Sequence, residues 1–283
     1  MRGRDTAVSA GKVDINLCGT DESGGALPSA LRNDELPPHS LDGTMRELHH
    51  RVPGSTRTGG FLVSNVISRD ALWVMAHAER AVLADDLAQL DDTQWSQQSL
   101  CGHWVVEEVV AHLTATASIG RIRWLSSVLG ARFDFDKHNN RQMAEHRGAT
   151  PVETLERFRA IITSTTAASG HTAAWLGEVV VHAQDIRRPL GLPRTPSIEA
   201  ATSVAGFYAS RDFAVPSRSA IEGLRLEATD GPFAVGTGPL ASGTTIALTM
   251  AMAGRPAYCD DLAGPGVPTL RSRIAARAGS GNM

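Results

Sequence analysis

Thr172-Ala-Ala-Trp-Leu-Gly-Glu-Val-Val-Val-His-Ala-Gln-Asp-Ile-Arg-Arg-Pro-Leu190 is the stretch on which the reading of this 283-residue chain turns. Trp175, Val179, His182 and Ile186 recur at helical spacing and form one stripe, and Gly191 followed by Pro193 stops the run. Glu178 stands among Leu176, Val179, Val180 and Val181, and a carboxylate on so apolar a helix needs a cation or a donor once it is buried. Glu178 and His182 are four residues apart, so both side chains leave one face about one turn apart and are able to chelate a single ion.

Working outward, Leu72, Ala76, Leu83, Leu87 and Leu90 predict an amphipathic helix beginning near Ala71. From Trp104 onward, Val105, Val109 and His112 share a face at i, i+4 and i+7, which predicts a second. The polar stretch from Asp134 to His146 suggests a short helix. Thr150-Pro-Val-Glu153 joins a capping box to proline at the first helical position, with Leu155, Phe158 and Ile162 continuing an apolar face. Thr195-Pro196 opens a further helix through Val204, Phe207 and Tyr208. After about Ser217, Gly223 to Asp230 and Phe233 to Val235 carry strand signals between turns, Thr244 to Ala253 reads helical, and a last helix covers Pro268 to Ala276. The expected architecture is mainly α, a helical bundle over residues 69–215 followed by a small α/β (α+β) domain over 216–283. Residues 1–68 are rich in Gly, Ser, Thr, Asp and Pro without periodicity and are expected to be a disordered extension. A partner-binding arm around Met45 to Val52, or an extension upstream of the native start, are the other readings.

The composition excludes several classes of function. A net charge of −3 and a pI near 6.4 give no reason to expect a nucleic-acid partner or an acidic membrane surface. Cys18, Cys101 and Cys259 are odd in number and show no paired spacing, so neither a disulfide framework nor a zinc ribbon is expected. No apolar run approaches the roughly 20 residues that span a bilayer, and Met1 is followed by Arg2, Gly3, Arg4 and Asp5, not by an apolar leader. A cytoplasmic, soluble protein with a small-molecule or protein partner is the expectation.

His112, on the inward stripe of another predicted helix, is able to complete a ligand set with Glu178 and His182. Two histidines and a carboxylate are typical of a catalytic zinc site, which keeps a position open for water or substrate. The spacing has little specificity in a chain with 10 histidines, and a satisfied core histidine is the competing reading of His112. Asp185 lies one turn beyond His182 and either orients a ligand histidine from behind or pairs with Arg188. Cys101 reads as a buried structural cysteine. Arg187 and Arg188 sit where a helix C-terminus favours cations without any ligand.

Two segments carry a resemblance. Ser99-Leu-Cys-Gly-His-Trp-Val-Val-Glu-Glu-Val-Val-Ala-His-Leu113 and Gly177-Glu-Val-Val-Val-His-Ala-Gln-Asp-Ile-Arg-Arg-Pro-Leu-Gly191 resemble signature stretches of the mycothiol-dependent maleylpyruvate isomerase family. The region from Gly223 through Arg255 is similar to that family's C-terminal domain. The resemblance implies a DinB-like four-helix bundle with metal ligands at His112, Glu178 and His182, and a catalytic arginine at Arg255 that clamps a substrate carboxylate. A solvated surface arginine is the other reading of Arg255. His103 stands where the family usually has glycine, a departure confined to the loop.

Mycothiol would be the thiol cosubstrate and zinc, or another divalent metal, the cofactor. Metal coordination makes the thiolate, which adds to an activated alkene and leaves after rotation in an isomerase, or is transferred to the electrophile in an S-transferase. The expectation is therefore a thiol-using isomerase or transferase with a small electrophilic substrate. The alternative is a non-catalytic, metal-binding regulator or ligand sensor on the same bundle.

Overall fold

The computed structural model describes residues 67–102, 104–118, 120, 143–213 and 215–280. The expectations for residues 1–66, for His103 and for most of the predicted helix at 134–146 lie outside these residues; 143–146 do form a helical turn. Among them the elements run α1 (Arg69–Leu87), α2 (Asp92–Trp95), α3 (Val106–Ser118), α4 (Pro151–Ala160), α5 (Thr172–Arg187), α6 (Ile198–Ser210), α7 (Ser217–Ala220), β1 (Arg225–Ala228), β2 (Ala234–Gly236), β3 (Leu240–Gly243), α8 (Thr245–Met252), the 3-10 helix η1 (Pro256–Asp261) and α9 (Val267–Ser280). The described residues are mainly helical with one small sheet. No helix of the described residues is long and apolar enough to cross a membrane.

Local chemistry sets the helix starts. Ser68 accepts from Ala71 N at the head of α1, and Thr150 accepts from Glu153 N at the head of α4 with Pro151 at the first position. Glu153 reaches back to Ala149 N at 2.8 Å, one residue earlier than a capping box requires. The helix expected to open at Thr195-Pro196 begins instead at Ile198, where the Ser197 hydroxyl accepts from Ala200 N. α5 ends at Arg187, and Gly191 takes φ +67°, a conformation that costs glycine little.

Four helices close a ring: α1 packs on α4 and α5, and α3 packs on the same two. Leu83, Leu87, Trp95, Val109, Val110, Leu113, Leu155, Phe158 and Ile186 fill this bundle. A second core joins α5 and α6 to α8, α9 and the sheet through Val179, Val204, Tyr208, Leu226, Leu248, Met250 and Leu270. α5 belongs to both cores, and from Ala174 through Arg187 each of its residues is buried.

In the sheet the order is β2-β1-β3. β1 pairs antiparallel with β2 (Leu226 opposite Val235) and parallel with β3 (Leu226 opposite Ala241). The sequence did not announce β3, since Leu240-Ala-Ser-Gly243 offers neither β-branched residues nor a clear alternation. Position 236 requires glycine, because its φ is +76° and a Cβ there would lie 2.1 Å from the Leu224 carbonyl oxygen.

Phe158 has no exposed surface and is enclosed in the bundle core. Phe158→Ala is therefore expected to destabilise the fold by about 3–5 kcal/mol, measured by urea denaturation. A loss under about 1 kcal/mol would mean that the bundle core is loosely packed there.

Candidate metal centre

A helix buried on all sides normally carries apolar residues alone. α5 instead carries Glu178, His182, Gln184, Asp185 and Arg187, so each must find a partner inside the protein. Gln184 donates to Arg194 O at 3.3 Å and accepts from the Tyr258 hydroxyl at 3.2 Å. Arg187 Nε donates to Asp86 Oδ2 at 2.8 Å, and Arg194 pairs with the other oxygen of Asp86 at 2.9 Å. Asp185 accepts from Arg255 through both oxygens, Nε to Oδ1 at 2.9 Å and Nη2 to Oδ2 at 2.6 Å.

Glu178 turns toward α3. Its Oε2 lies 3.4 Å from His112 Nε2 and 3.6 Å from His182 Nε2, and one ligand atom from each of the three residues falls within 4.8 Å of the others. His182 Nδ1 faces Asp185 Oδ2 at 3.0 Å. That contact assigns the ring proton to Nδ1 in the neutral form and leaves the Nε2 lone pair directed at the cluster. Nε2 itself is buried and has no hydrogen-bond partner. His112, Glu178 and His182 are 4%, 3% and 0% exposed, so water from outside does not satisfy them.

A second triad, Cys101, His182 and Asp185, has comparable spacing. The two differ in charge. In the second triad the guanidinium of Arg255 already sits against Asp185 and lies 3.8 Å from Cys101 Sγ, so a protein cation stands where an ion would. No arginine or lysine is paired with Glu178 among the described residues, which leaves His112, Glu178 and His182 as the set able to take a divalent cation.

The charges of the metal-free cluster follow from its burial and its contacts. Burial opposes charge on Glu178, but the contacts with His112 and His182 prevail and hold its carboxyl at about 2. At His112 burial dominates, and its lowered pKa makes it a neutral imidazole at pH 7. Burial also opposes charge on His182, yet the bond to Asp185 and the nearby Glu178 carboxylate raise it to about 9.

The structure thus brings together His112, Glu178, His182, Asp185 and Arg255 from α3, α5 and the start of η1. Arg255 is 5% exposed, not a solvated surface residue, and its partner is the protein's own Asp185. Arg188 pairs with Asp261, not with Asp185. Two neighbours escaped the sequence reading. The Trp104 ring lies 4.9 Å from that of His112 and 6.5 Å from that of His182. The Tyr208 hydroxyl is buried without a partner, 3.2 Å from where a Cβ on Gly177 would be. Neither shares a helix face with a ligand, so spacing had no means of finding them.

No curated protein matches the chain. Among solved structures, the mycothiol-dependent maleylpyruvate isomerase is similar at 16% identity and a TM-score of 0.48, covering 70% of this chain and 93% of that one. A histidine-to-alanine mutant of the same enzyme gives 14% and 0.46 with the same coverage. Residues 76–175 match the family model for the mycothiol maleylpyruvate isomerase N-terminal domain, a span that includes His112 and stops just before Glu178. From the middle of α1 to the first turn of α5, the chain is thus similar to the N-terminal domain of the mycothiol-dependent maleylpyruvate isomerases.

Proposed function

We propose that the chain is a zinc-dependent enzyme that uses mycothiol as a thiol cosubstrate on a small electrophile, as a thiol-dependent isomerase or an S-transferase. The observation that carries this reading is the buried Nε2 of His182, without a hydrogen-bond partner, beside Glu178 and His112, in a cluster where no arginine or lysine is paired with Glu178 among the described residues. Two imidazole nitrogens and one carboxylate oxygen match the donor set of catalytic zinc sites. An ion held by these three residues would supply Lewis acidity, the chemistry that lowers the pKa of a thiol brought to it.

The chain's own residues prepare that position. His112 is neutral and Glu178 ionised, so neither has to change protonation. Asp185 holds His182 in the ligating tautomer, and Trp104 flanks both rings with apolar surface. A small-molecule partner and a cytoplasmic location belong to the same reading, as does the absence of a nucleic-acid partner, supported by the net charge of −3. One observation favours the alternative of a non-catalytic metal-binding regulator. The three ligand side chains are almost wholly enclosed, as an occluded ion would require.

Metal analysis of the purified chain beside His182→Ala is expected to give one equivalent in the wild type and a large loss in the variant, with mycothiol binding only to the loaded wild type. Equal metal content in both would refute the site. Metal without any thiol binding would leave the regulator. A second expectation follows from proton competition. His182 is protonated in the metal-free state up to about pH 9, so the ion must displace that proton, and apparent affinity should rise about tenfold per pH unit between roughly pH 6 and pH 8. Chelator competition across that range measures it; a flat profile would mean that the imidazole is already neutral.

A further inference from the structure

We infer that Arg255 is a positioning residue, which acts on the metal centre through Asp185 and His182 and does not meet the substrate. The inference rests on the metal reading above and concerns how the C-terminal region serves that centre. Nε and Nη2 of Arg255 grip both oxygens of Asp185 at 2.9 and 2.6 Å, the planar two-pronged geometry that only arginine offers a carboxylate. Nη1 donates to Ala253 O at 2.7 Å, and Nη2 also lies 3.8 Å from Cys101 Sγ. A substrate carboxylate taking the same two-pronged grip on Nε and Nη2 would have to pull the guanidinium from an aspartate with no exposed surface and strand that charge.

The same Asp185 oxygen that receives Nη2 faces His182 Nδ1 at 3.0 Å. Arg255 therefore fixes the carboxylate, the carboxylate fixes the imidazole, and the imidazole presents Nε2 to Glu178 and the ion. Outer partners of this kind set ligand orientation and basicity in metal sites.

Arg255 is itself held by backbone geometry. Its N–H bonds to Met250 O and that of Gly254 bonds to Ala251 O, with Gly254 at φ +84°. This pair of bonds is a Schellman turn closing α8, and it requires a residue tolerant of the left-handed region at position 254. The turn aims the arginine back at α5, so a ligand on the bundle depends on a cation from beyond the sheet.

Cobalt(II) serves as the probe, because its visible spectrum reports ligand geometry independently of turnover. Chelator competition and visible spectra are compared for wild type, Arg255→Gln, Arg255→Lys and Asp185→Asn, with circular dichroism reporting the fold. Arg255→Gln and Asp185→Asn are expected to weaken cobalt binding about 10- to 100-fold and to alter the visible bands. Arg255→Lys should recover part of the affinity, since it restores charge without the two-pronged grip. A wild type that takes up no cobalt overturns the metal reading and this inference together. A loaded wild type with unchanged affinity and spectrum in Arg255→Gln overturns the inference alone and returns the arginine to the substrate. If Arg255→Gln does not fold, wild-type cobalt affinity and spectra in Arg255→Lys and Asp185→Asn overturn it equally.

Discussion

Burial of α5 on every side governs the organisation around it. A helix in that position can keep polar side chains only if other elements deliver partners to them, and here the deliveries come from far along the chain. Asp86 of α1 meets Arg187, Arg255 meets Asp185, Tyr258 of η1 meets Gln184, and His112 of α3 meets Glu178. Four contacts between distant segments thus converge on one helix. Their order along α5 separates the roles: the metal candidates occupy the middle, and the arginine-aspartate pairs lie toward its C-terminal end. Arg188, just past that end, lies over the Tyr258 ring at 4.2 Å and pairs with Asp261, adding a further link to η1.

Much of this was legible in the sequence, and the reasons are local. The stripes that define α1, α3 and α4 are periodic because each helix turns an apolar face to the core, the apolar run of α5 is bounded by Gly191 and Pro193, and Thr150-Pro151 marks a start by capping chemistry that acts within four residues. Glu178 drew attention because a carboxylate in a run of valines violates binary pattern, and such violations concentrate at functional sites. The pairing of Asp185 with Arg255 was not legible. Seventy residues separate the two, and nothing near either one encodes the other; the sequence offered Arg188 as a nearby partner for Asp185, and a substrate or bulk solvent for Arg255. β3 was missed for a related reason, since its pairing with β1 is parallel and non-local, while Leu240-Ala-Ser-Gly243 has no β-branched or aromatic residue to mark it. Trp104 and Tyr208 approach the cluster from a loop and from α6, where no spacing rule reaches the ligands.

The two overlapping triads illustrate how charge selects between equivalent geometries. Cys101, His182 and Asp185 have the spacing of a metal site as much as His112, Glu178 and His182 do. A guanidinium already balances the first set. His182 belongs to both, with one nitrogen turned toward each, so the arginine on one side and the carboxylate on the other give its two edges opposite tasks.

The Asp185–Arg255 contact also constrains how such a protein can change over evolutionary time. Appended segments are often exchanged as modules, provided that the junction tolerates new neighbours. Here the segment after the sheet supplies the counter-charge for a buried acid on the bundle, so a recombinant with a foreign C-terminal segment would inherit the aspartate without its cation. Either the new segment would have to present an arginine at the same place, or the aspartate would have to be lost with it. The two positions should therefore have been gained and lost together, as one inherited character written at two distant points of the chain.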